Sequence, residues 1–82
     1  PAPEDHLRAL YGLTPAEART AEALLDADRL QDIADRFGIG LPTVRVHLQH
    51  AFAKTGTHRQ AELVRLLLAH RLPEARKPPR RG

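Results

Sequence analysis

Between Ile33 and Leu48 the chain reads IADRFGIGLPTVRVHL, two short runs of helical periodicity that meet at a glycine. Ile33, Ala34 and Phe37 fall on one face of a first helix, and Val44, Leu48 and Phe52 restart the pattern beyond the break. Gly38 is the predicted stop. A turn this tight favours a left-handed residue, which glycine alone adopts without steric cost. Ala34 and Gly38 are also small where two crossing helices need room. The segment therefore reads as a helix-turn-helix.

The rest of the chain carries helix signals as well, so the expected class is all-α. Glu4 to Tyr11 is predicted as a short leading helix with Leu7, Leu10 and Tyr11 on one side, ended by Gly12. Thr14, Pro15 and Glu17 form a capping box with proline in the first turn of the next helix, which is expected to reach about Asp26. Asp28 with Gln31, and Thr57 with Gln60, suggest the same box before the helices that follow. The helix after the glycine break starts differently: Gly40 takes the cap position, Pro42 sets the first turn, and free backbone N–H groups there can meet a phosphate oxygen. Beyond Leu72 the run PEARKPPRRG has almost no apolar content and is expected to be disordered. The resulting division is a leading helix or linker over 1–12, a helical domain over 13–72 and a basic tail over 73–82.

Length and composition narrow the function classes. Eighty-two residues allow one small domain with a modest core, for which self-association would add stability. The absence of cysteine removes disulfides and thiolate zinc sites, and fits a reducing, cytoplasmic setting. No apolar run approaches the roughly 20 residues needed to cross a bilayer. The chain starts with Pro and contains no Met, so it reads as a piece of a larger protein. The net charge of +3 hides an asymmetry. Residues 1–37 hold four basic side chains against eight acidic ones, whereas residues 38–82 hold nine against Glu62 and Glu74. The second half would attract a polyanion. Part of that excess is the tail itself, through Arg76, Lys77, Arg80 and Arg81.

At about 100° per residue, Val44, Leu48, Ala51, Phe52 and Thr55 share the core side of the helix after the break. Val46, Gln49, His50 and Ala53 point outward, with Thr43 and Arg45 on one shoulder and His47 and Lys54 on the other. Such a face suits a DNA major groove. Arg45 can offer its fork to guanine, Gln49 matches adenine, and Val46 can touch a thymine methyl. Thr43, His47 and Lys54 are better placed for phosphates, with Arg59 and the region of Arg29 and Gln31 as neighbouring clamps. The competing reading is an ordinary solvated helix face.

Four blocks in order strengthen the DNA reading: LTPAEA at 13–18, the glycine break, TVRVHL at 43–48 and KTGTHRQAELVRLLL at 54–68. Together they resemble the four-helix DNA-binding domain of LuxR-type transcription regulators. The resemblance implies that the third helix of that domain enters the major groove. It also implies base contacts at Arg45, Val46 and Gln49, and a sensing or receiver domain upstream. The chain departs from the family pattern at Gly40, where Ser or Thr is common, and at Thr20 and Ala21, where larger apolar residues are usual. It departs again at Gln49, often Lys or Arg in relatives.

The last helix carries two apolar stripes. Ala61, Val64 and Leu68 are expected in the core, leaving Leu63, Leu66 and Leu67 with His70 as a dimer interface. The family resemblance agrees with pairing through this helix, and a two-fold axis would favour an inverted-repeat site. The alternative is that this stripe docks the upstream domain. Sigma-factor-like promoter recognition, or an interaction module that has lost DNA binding, are the competing functions. An enzyme is not expected, because no Ser or Cys nucleophile and no glycine-rich phosphate loop is present. His47 and His50 lack an evident third metal ligand, and no cofactor is implied.

Overall fold

The computed structural model describes residues 3–71, which form five helices: α1 (Pro3–Tyr11), α2 (Pro15–Ala23), α3 (Leu30–Phe37), α4 (Leu41–Thr55) and α5 (Gln60–Arg71). There is no strand among the described residues. The tail expected over 73–82 lies outside them.

Helix α2 is the hub, packing against α1, α4 and α5, while α3 packs on α4. Apart from Glu17, its buried residues are small, Ala18, Ala21, Ala23 and Thr20, so neighbouring backbones can approach it closely. Larger side chains from the other helices fill the space around it. Leu7, Ile33, Val44, Leu48, Leu63 and Leu67 all belong to one core cluster. Leu7 is only 1% exposed, which makes α1 part of the same folding unit and not a linker. Tyr11 packs beside it and bonds His70 of α5 at 2.9 Å, whereas Leu10 stays half exposed.

The capping box on α2 is complete: Thr14 Oγ1 accepts from the Glu17 N–H at 3.1 Å, and Glu17 Oε1 accepts from the Thr14 N–H at 3.0 Å. The helix then loosens into a turn after Ala23, with i→i−3 bonds from Leu24, Leu25 and Asp26, so it ends earlier than its apolar pattern suggests.

The other two expected boxes shift. Arg29 caps α3, and its N–H donates to Asp32 Oδ2 at 3.1 Å, while Gln31 bonds Asp35 instead of Asp28. Before α5 the His58 N–H donates to Glu62 Oε1 at 2.7 Å, and Thr57 Oγ1 pairs with Thr55 Oγ1. In both places an acidic side chain inside the first turn reaches back to satisfy a backbone N–H, which also suits the positive end of the helix.

Gly38 closes α3 at φ 65°, ψ 37°, in the left-handed region, and the Ile39 N–H bonds back to Ala34 O at 3.0 Å. A Cβ at Gly38 would meet nothing within 4 Å. Backbone conformation, not close helix approach, is what requires glycine there. Ala34, by contrast, is buried at the crossing. At the start of α4, Gly40 makes no side-chain cap, and its carbonyl takes the Thr43 and Val44 N–H groups. Those two N–H groups are therefore not free for a phosphate.

Helix α5 turns the opposite way from expectation. Leu63 and Leu67 are buried, Leu66 packs partly against the core and His70 is half-buried, while Ala61 and Leu68 are exposed and Val64 is half-buried. The stripe assigned to a dimer interface is thus the core stripe. Both stripes recur at helical spacing, so periodicity alone could not choose between them. The three-leucine stripe has more apolar area to remove from water, and the small residues of α2 leave room for it.

Candidate nucleic-acid interface

Helix α4 is fifteen residues long, Leu41 to Thr55, and is held from two sides by α2 and α3. Val44, Leu48 and Ala51 are buried, with Phe52 and Thr55 partly so. This is the expected core face. Arg45, Gln49, His50 and Ala53 are exposed, and Val46 is 50% exposed.

Arg45 and Gln49 have no side-chain partner among the described residues. They lie four residues apart, so they neighbour each other along one ridge of α4. Thr43 is exposed at the first turn and His47 is partly buried on the flank. Arg59 is exposed just before α5; it makes no ion pair within 4 Å among the described residues, but its charge and its backbone N–H both act on Glu62, whose pKa they help to lower.

Two expected phosphate ligands are engaged elsewhere. Gln31 donates through its amide nitrogen to Asp35 Oδ1 at 2.9 Å, and beside it Arg29 pairs with Asp32 at 3.4 Å. That patch sets two carboxylates, Asp32 and Asp35, against the one cation Arg29. Lys54 turns away from the outer face and places Nζ 2.7 Å from Glu17 Oε1. A phosphate would have to compete with a carboxylate already in contact.

Glu17 is the residue whose role the sequence least revealed. Its side chain is 5% exposed, and it takes Lys54 and Thr14 N on Oε1 and His50 Nδ1, at 3.1 Å, on Oε2. Burial pushes its pKa up, but the bonds from Lys54 and the Thr14 N–H, the ammonium charge and the His50 bond outweigh this, lowering it to about 2. His50 and Lys54 are four apart on α4, so one visible clue was a pair of cationic or donor side chains on a shared ridge. Their partner, 37 residues away from Lys54, had no local signal.

A second cluster lies away from α4's outer face. Arg19 of α2 and Arg36 of α3 both sit against the Phe37 ring, at 5.6 and 5.9 Å from its centroid. The contacts cover the aromatic ring with charge-bearing but partly apolar side chains.

Among the described residues no group of three His, Cys, Asp or Glu is arranged to hold a metal ion, and no helix is long and apolar enough to cross a membrane. No family model, curated protein or solved structure matches the chain.

Proposed function

We propose that this chain is a sequence-specific double-stranded DNA-binding module of a LuxR-type transcription regulator, with α4 as its reading helix. The observation that carries the reading is the outer face of α4. Arg45 and Gln49 are exposed and unpaired there, with Val46 exposed beside Gln49. In a major groove Arg45 supplies two donors to a guanine edge, Gln49 a donor and an acceptor to adenine, and Val46 an apolar contact to a thymine methyl. Thr43, His47 and Arg59 flank that face and take phosphates, setting register without reading sequence. The activity asks for no cofactor and no catalytic group.

Pairing of two copies belongs to the same reading, now on the strip that α5 leaves outside, Ala61, Val64 and Leu68. Two reading helices related by a two-fold axis would bind an inverted repeat. Lys54's engagement with Glu17 favours one competing reading, an interaction module without DNA binding, because it removes a cation from the outer face.

Fluorescence anisotropy on a selected duplex pool across a salt series separates the two. Sequence-specific binding with a steep negative salt slope supports the DNA reading. Arg45→Ala should then weaken the selected duplex by roughly 1 to 3 kcal/mol and random duplex by less. A folded chain that binds no duplex at low salt overturns it.

A further inference from the structure

We propose that Glu17 is a positioning residue for His50, fixing its ring as the Nδ1–H tautomer so that Nε2 is an additional base-reading acceptor on α4. The inference rests on the DNA-binding reading above and adds to it a residue and a preferred base chemistry.

The argument begins at the carboxylate. Glu17 Oε1 receives the Lys54 ammonium at 2.7 Å and the Thr14 N–H at 3.0 Å, so the group is an ionised acceptor. An ionised carboxylate has no proton to give. The His50 nitrogen 3.1 Å from Oε2 must therefore be the one that carries hydrogen, and this nitrogen is Nδ1. In a neutral imidazole the other nitrogen is then an acceptor. A histidine free in water favours the opposite tautomer, so Glu17 imposes a state that the side chain would not mostly hold by itself.

The anchor is rigid and the ring is not hidden. Glu17 is 5% exposed and bound into the first turn of α2 by the capping box, whereas the His50 side chain is 58% exposed. Glu17 of α2 and Lys54 of α4, which shares its carboxylate, are the charged groups around the ring; α1, α3 and α5 place none in ion-pair contact with it among the described residues. His50 directly follows Gln49 and stands four residues beyond Val46, which puts it on the same outward ridge system as the proposed readers. In the major groove an acceptor finds donors at the cytosine N4 and adenine N6 amino groups, and not at guanine or thymine.

Two measurements test this. In the free full chain, two-bond ¹H–¹⁵N correlations of the histidine rings, taken where the imidazole is neutral, should show His50 as the Nδ1–H form. Detection of the Nε2–H form would overturn the positioning role whatever the DNA does. Next, base preferences are measured by competition from a randomised duplex pool for the native chain, His50→Ala, His50→Gln and Arg45→Ala. The expected result is that His50→Ala erases a roughly two- to tenfold preference for cytosine or adenine at one position, the worth of one net hydrogen bond. Random-duplex affinity should hold, His50→Gln should keep part of the preference, and Arg45→Ala should act at a different position. Native-like preferences in His50→Ala, beside sequence-specific binding by the native chain, would overturn this inference and leave the DNA reading standing. A folded native chain that binds no duplex would overturn both the reading and the base-contact half of the inference.

Discussion

Lys54 on α4 holds its ammonium nitrogen 2.7 Å from Oε1 of Glu17 on α2, and that carboxylate is 5% exposed. The pair joins the proposed reading helix to the hub of the core, at a carboxylate already fixed by the Thr14 backbone. Removing the cation leaves a buried charge with a weaker set of partners, the circumstance in which loss of an ion pair is costly. Lys54 is itself 36% exposed, so solvent compensates part of the loss. Lys54→Met is expected to lower stability by about 1 to 3 kcal/mol in urea denaturation. The salt slope for random-duplex binding should barely change. A slope reduced by nearly one, with native stability, would return Lys54 to a phosphate role.

The same carboxylate gives the fold a defined response to acid. Glu17 has its pKa lowered to about 2 in the folded chain, against 4.5 for an ordinary glutamate. A depressed folded value means that the contribution is fully present above the ordinary value and is lost as pH falls through the folded one. The window is therefore from about pH 5 down to about pH 2. Across it the native chain should lose on the order of 2 to 3 kcal/mol through this group. Urea midpoints measured from pH 7 to pH 2 should fall more steeply for the native chain than for Glu17→Gln. Parallel curves would show that the carboxylate is not held ionised by its partners.

How far such features were legible in the sequence depends on the distance over which the deciding interaction acts. Thr14 with Glu17, and Gly38 with its left-handed turn, involve neighbours within one helical turn, and both occur as expected. The core face of α4 was also readable, because Val44, Leu48 and Ala51 form a single apolar stripe there. At α3 and α5 the first-turn acids were present, but Asp32 and Glu62 satisfy the Arg29 and His58 N–H groups, so the boxes drawn through Asp28 and Thr57 missed the true closures. The orientation of α5 was not decidable locally: two stripes had equal period, and the small residues of α2 made room for the larger one. Nor could helical spacing pair Glu17 with His50 and Lys54, since only the packing of α2 on α4 brings them together. The exposure of Arg45, Val46 and Gln49 was legible because it follows from the face of α4 opposite that single stripe.

The two faces of α5 predict opposite outcomes for one kind of substitution. Leu67 is 1% exposed and Leu68 is 43% exposed, though adjacent in sequence. Leu67→Glu places a carboxylate in the apolar core and should unfold the chain, as read by loss of helical circular dichroism. Leu68→Glu should leave that spectrum and the thermal transition nearly native. If two copies pair through the outer strip, the same variant converts the sedimenting dimer to monomer. A dimer that persists in Leu68→Glu would place the pairing surface off this helix.

Thr20 offers a test in the stabilising direction. It is 1% exposed inside α2, and its hydroxyl makes no hydrogen bond among the described residues. A buried hydroxyl without a partner forfeits its bonds to water and gains none in exchange. Valine has nearly the same shape, so Thr20→Val removes the polar group without opening a cavity or crowding the neighbouring helices. Valine and threonine are both β-branched, and the substitution adds no new restriction on the backbone of α2. Stability should rise by about 1 kcal/mol, seen as a higher urea midpoint at unchanged m value. A loss of similar size would mean that the hydroxyl is satisfied by a bound water or a backbone carbonyl, and that this position keeps a polar residue for packing α2 and not despite it.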